Sequence, residues 1–168
     1  AAMLVWMILD HLARREVTAL GAASGEVAGL VGITPAAGFV SPMSALAVGA
    51  ITSLVCYYSA NWRAKSTLDD SLDAFAVHGV GGAVGAILTG IFAVSSINAA
   101  FGTDAAGKPL ATGALDGHWT QILNQFAGVG IAWCISAVGT LVLLFAVDKV
   151  IGLRLSPEDE HAGLDLSQ

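Results

Sequence analysis

Charge is scarce in this sequence, and the uncharged residues come in long runs. Only 12% of the 168 residues are charged, against about 25% in an ordinary soluble domain. Hydrophobic residues make up 55%, and the mean hydropathy is +0.74. A water-soluble globular domain is excluded, and the length is better counted in membrane spans. Basic residues are few, 7 against 13 acidic ones for a net charge of −6, and they form no patch that would suit a nucleic acid. The acidic excess comes largely from loops and the tail, where Glu158, Asp159, Glu160 and Asp165 cluster. Cysteine is nearly absent: Cys56 and Cys134 both fall in apolar runs, where they read as small buried hydrophobes without disulfide or redox role. The opening AAMLVWMILDHLARRE carries its charges after its apolar run, the reverse of a secretory signal. That segment reads as the cut end of a transmembrane helix, since Ala1 to Leu9 supplies about half of the 20 or so residues a span needs. The chain is therefore expected to begin in mid-protein.

Four longer runs follow. The polar stretch from Asp10 to Thr18 reads as a loop, and the first full span covers residues 19–40. Within it Gly21, Gly25 and Gly29 recur every fourth residue, a small-residue stripe that lets membrane helices approach closely. Pro35 marks a kink or the helix end. Glu26 stands out, because an acid inside a span is costly and faces a bundle interior or water. The next span, 42–62, ends in Tyr57, Tyr58 and Trp62, aromatics typical of a membrane interface. A third covers 70–97 and a last one 119–147, whose surplus length implies tilt or extension beyond the lipid. The connection from Asn98 to Gly117, with Gly102, Gly107, Pro109 and Gly113, has loop composition. Residues 1–150 thus read as membrane helices and 151–168 as a tail.

The 70–97 span, with its lead-in DDSLDAFAVHGVGGAVGAILTGIFAVSSI, organises the rest. After Asp73 no formally charged residue appears until Asp104, so His78 alone can titrate there. Eight helical steps of about 1.5 Å separate it from Asp70, placing it roughly 12 Å deep in a hydrocarbon core about 30 Å thick. In an α-helix its neighbours three and four positions away are Ala74, Phe75, Gly81 and Gly82, small except for Phe75. Asp69, Asp70 and Asp73 are expected to cap the helix start. Gly81, Gly85 and Thr89 form a second small-residue stripe, and both stripes call for partner helices that this sequence lacks or shares. A mid-membrane histidine is a functional candidate by default. It could serve as a buried hydrogen-bonding residue, as a haem ligand in a membrane redox protein, or as the polar contact of a conduction path. The haem reading needs a second ligand at depth, and His11, His118 and His161 all sit at loop or tail positions.

Orientation follows from the positive-inside rule. Arg14, Arg15, Arg63, Lys65, Lys149 and Arg154 lie on connections alternating to one face and only Lys108 on the other, so a multi-pass protein with a cytoplasmic C-terminus is expected.

The runs DDSLDAFAVHGVGGAVGAILTGIFA, LGAASGEVAGLVGITPAAGFVSP and EDEHAGLDLSQ strongly resemble the C-terminal half of the ammonium transporters of the Amt, Mep and Rh superfamily, nearest to the bacterial Amt type, over essentially the whole chain. The resemblance implies an all-α membrane protein: the C-terminal part of an eleven-helix bundle of two inverted pseudo-repeats, located in the cell (inner) membrane and assembled as a homotrimer. It implies a transporter and not an enzyme, with ammonium or ammonia as substrate and neither cofactor nor metal. His78 matches the second of the family's two pore histidines, which would bind substrate and relay its proton, and Asp73 matches the acid five residues before it. Ala74, Phe75 and Glu26 are candidate pore-lining residues, Asp70 and Asp73 structural ones near the pore. Glu26 departs from the apolar residue expected there, and an inner pore mouth is its expected place. The first pore histidine and the outer recruitment site belong to the N-terminal half, the expected missing partner. The GLD element of the tail matches the segment near which relatives bind PII-type regulators. An ammonium sensor on the same fold is the alternative within the family.

Overall fold

The computed structural model describes residues 1–98, 112–154 and 156–163, and among these every regular element is helical. Helix α1 (Ala2–Arg14) continues through the stretch read as a loop, so that Asp10 is a buried helical residue, and it closes on Arg15 in a left-handed conformation whose N–H donates to the His11 carbonyl. Helix α2 (Ala19–Ile33) starts at Thr18, whose hydroxyl accepts from the Gly21 N–H, as an N-cap should. It does not run to residue 40. A single 3₁₀ turn, Thr34–Ala36, follows, with Pro35 at its start. Proline thus marks the helix end, because it has no N–H to continue the ladder.

Helix α3 (Pro42–Arg63) opens on Ser41, whose hydroxyl accepts from the Ser44 N–H. A π-helical turn, Phe75–Val80, then leads into α4 (Gly81–Phe92), after which Ala93 is extended. Helix α5 covers Thr120–Val150 and a short α6 covers Pro157–Ala162. By length and composition α3, the stretch Phe75–Phe92 and α5 suffice to cross a membrane. Two compact units result, 1–129 and 130–168.

The first unit is organised by close approach. The glycine stripe of α2 faces α1: a Cβ at Gly25 would overlap Trp6 and one at Gly29 would overlap Ala2. At Gly85 of α4 a Cβ would strike the Gly32 backbone of α2. Both stripes therefore find their partners inside this chain, against the expectation that they would need helices from elsewhere. Without a hydrophobic drive between helices in lipid, such close approach, backbone against backbone at Gly85, contributes cohesion through van der Waals packing. Trp6 of α1, Ala28 of α2, Cys56 and Tyr57 of α3, and Ala76 and Val77 of the π turn form the buried centre. Trp6 and Tyr57 meet edge-to-face at 5.3 Å, worth about 0.5–1.5 kcal/mol beyond burial.

Candidate functional site

Two anchors fix the start of the His78 helix. The Asp70 carboxylate accepts from the N–H groups of Ala74 and Phe75 at 2.9 and 2.8 Å, and these bonds, the Phe75 one foremost, hold its carboxyl below the ordinary carboxylate range. Asp73 does not cap. Its carboxylate pairs with the Arg63 guanidinium at the end of α3, with Nε donating at 2.9 Å, while its backbone is left-handed at φ 53°. Arg63 thus has a role beyond topology, one that only folding could reveal, because ten residues separate the partners.

Ala76 and Val77 are buried, whereas Ala74, Phe75 and His78 are exposed together on the other side of the turn. Gly81 is not beside the imidazole: a Cβ there would press on the Cys56 sulfur of α3 at 2.9 Å. On the exposed side of the turn, Gly79 lies so that a Cβ would touch the Phe75 ring at 3.5 Å. Among the described residues no second imidazole adjoins His78. His118 contacts the Thr112 hydroxyl through Nδ1 at 3.1 Å, and His11 is exposed in the last turn of α1.

Glu26 is exposed, seven residues into α2, which is about 10 Å along the axis. It borders a groove of about 470 Å³ whose other walls include Ala2, Met3, Gly29, Leu30 and Leu46; His78 is not part of that groove. A second cavity, of about 160 Å³, lies at the Arg63 end of the bundle and is of mixed character, lined among others by Trp6, Asp10, Arg14, Asn61, Arg63 and Asp73. Arg14 there donates to the Asn61 side-chain oxygen at 3.0 Å. Asp10 is only 6% exposed. Its signal in the sequence is a carboxylate following nine residues without charge, which α1 carries into the bundle when it extends to Arg14.

At the opposite end of α4, Asp116 gathers three donors: the Ser95 N–H, the Ser95 hydroxyl and the Thr112 hydroxyl, at 3.0, 2.7 and 2.7 Å. They bring its carboxyl down to about 2. Lys108, Asp104 and the last residues of the GLD element lie outside the described residues.

The Ammonium Transporter Family matches this chain over residues 1–168. Ammonium transporter 2 of Schizosaccharomyces pombe is 42% identical over 99% of the chain, and Amt1 of Archaeoglobus fulgidus 38% identical over 98%. The crystal structure of Saccharomyces cerevisiae Mep2 superposes with a TM-score of 0.82 at 38% identity over 94% of the chain, and a structure titled Sensor Amt Protein with 0.81 at 30% identity over 99%. The chain spans 33% to 39% of the length of those proteins. With the family matched from end to end and the helical fold superposed on solved members at this identity, the chain belongs to the ammonium transporter family.

Proposed function

We propose that the 168 residues are the C-terminal part of an ammonium transporter in the cell membrane, C-terminus in the cytoplasm, in which His78 faces the conduction path and takes part in substrate binding and proton relay. The observation that carries this reading is the position of His78. It stands exposed with Ala74 and Phe75 on a membrane-length helix whose opposite side is packed against α2 and α3. An imidazole left bare to lipid would be costly, so that face belongs against protein or water. The N-terminal part of the transporter is the natural cover. Conducting a bare cation through an apolar pore would cost several kcal/mol or more of desolvation, which neutral ammonia largely avoids. An imidazole with a reference pKa of about 6.5 can both donate to and accept from that substrate.

The other parts of the reading are a homotrimer, a PII-type regulator at the tail, and Glu26 as a hydrated acid that draws cations along its groove. The likeness to the structure titled Sensor Amt Protein supports a second reading, an ammonium sensor on the same fold. In the full-length protein, His78→Ala should leave membrane expression intact and abolish or sharply alter methylammonium uptake. Unchanged uptake and selectivity would make His78 a packing residue. Glu26→Gln should shift transport at one or more pH values; wild-type transport at every pH would remove Glu26 from the path. Ammonium-dependent signalling without flux would favour the sensor.

A further inference from the structure

We propose that the π turn Phe75–Val80 is the positioning element that takes His78 off the packed face of its helix and turns it to the open one. The inference rests on the reading of His78 as a pore residue, and it concerns how the chain aims that residue.

Both ends of the turn are fixed independently. Upstream, Asp70 holds the first N–H groups and Arg63 holds Asp73. Downstream, Gly81 rests against Cys56 and Thr52 of α3, and Gly85 against the Gly32 backbone, with no room for a side chain at either. The packed face of the helix is therefore set by Gly81 and Gly85, four residues apart. In an α-helix the residues sharing the face of Gly81 on its N-terminal side are those three and four before it, His78 and Val77. A π turn closes its bonds one residue further along, so the residues four and five before, Val77 and Ala76, take those places. The exposures follow the second pattern: Ala76 is 0% and Val77 4% exposed, while His78 is exposed. Continued as an α-helix, this sequence would drive the imidazole toward α3 and bring Ala76 to the open side. One extra residue in one turn thus decides which residue reaches the path.

Two single deletions in the full-length transporter separate this positioning role from mere slack, since each restores α-helical spacing and leaves both anchors in place. Removing Gly79 puts Val77 and Ala76 three and four residues before Gly81, keeping them packed, and puts His78 two before it, still away from the packed face. Removing Ala76 leaves Val77 and His78 at those packed positions. Methylammonium uptake should be at least tenfold lower in the Ala76 deletion than in the Gly79 deletion at equal membrane expression. Equal uptake, or the reverse order, would overturn the proposal. If either deletion fails to reach the membrane, the decision passes to single cysteines at 76, 77 and 78 in a full-length background that keeps buried Cys56 and no other native cysteine, treated with a water-soluble thiol reagent and compared with that background alone. Labelling at 78 with protection at 76 and 77 is expected; labelling at 76 with protection at 78 would show an uninterrupted α-helix and overturn the proposal. Unchanged uptake in His78→Ala would defeat the pore reading by itself, and the labelling pattern would still judge the turn.

Discussion

Helices α2 and α4 on one hand and the long helix α5 on the other use the same residue type in opposite ways. In α2 and α4 the glycines are contact points: a Cβ at Gly25, Gly32, Gly81 or Gly85 would meet a neighbouring helix within overlap distance. In α5, Gly128, Gly130 and Gly139 have nothing within 4 Å of where a Cβ would stand, and no residue of α5 is buried. Yet α5 contains the most apolar 18-residue stretch of the membrane-length helices, with a mean hydropathy of 2.2 against 1.4 in α3 and 1.7 for Phe75–Phe92. Hydropathy and packing are therefore separate signals here. Apolarity reports that a helix belongs in lipid, while a glycine's neighbours report which face is held by protein. A helix apolar on all sides, as α5 is, is surrounded by lipid or by other protein.

The sharpest way to break that comparison is to add one methyl group on each side of it. Gly85→Ala in the full-length protein should separate α4 from α2 and cost about 1–3 kcal/mol, the usual range for overpacking, read as a lowered midpoint for unfolding in mixed micelles. Gly139→Ala should gain up to about 1 kcal/mol from helix propensity. A loss at Gly139 as large as at Gly85 would instead show that α5 is gripped by another helix in the full-length protein. A smaller effect is expected at the anchored end of the bundle. Arg63→Ala removes the partner of Asp73, whose side chain is 34% exposed, and should cost about 1 kcal/mol after solvent screening. Since Asp73 is held in left-handed backbone, Asp73→Gly combined with Arg63→Ala should recover part of that loss; no recovery would mean that the pair acts only through charge.

The least effect concerns pH. Asp116 has its carboxyl lowered from 3.8 to about 2, chiefly by the Ser95 N–H and hydroxyl. A depressed acid lends its stabilisation above the unfolded value and loses it as pH falls through the folded one. The clasp between Ser95, Thr112 and Asp116 should thus hold unchanged at neutral pH and loosen only between about pH 4 and 2. Protease cleavage near residue 95, followed against pH, would check it, and Asp116→Asn should give the loosened pattern already at pH 7.

Much of the membrane character was legible before folding, because it depends on composition and run length. The scarcity of charge, the apolar runs and the isolated His78 are linear properties, as is the acid at Asp70 that accepts the first N–H groups of its helix. Partnerships were less legible. The reading that both glycine stripes lacked partners failed because period-four glycines announce a close contact without naming what makes it; α1 covers the first, and α2 and α3 cover the second. Asp73 was read as a cap because caps are local, whereas its partner Arg63 reaches it only after the connection folds back. Asp10 was read as a loop residue because polar residues follow it, and the helix ran on through them.

By itself the sequence determined the membrane-helix class, the family and the one titratable residue of the run between Asp73 and Asp104, since these follow from which side chains are present and how long the uncharged runs are. Tertiary structure decided where that residue points. The periodicity of the helix around His78 is not a property of its own residues alone: Asp70 and Arg63 fix one end, Cys56 and Gly32 fix the other, and the turn between them takes up the residue left over.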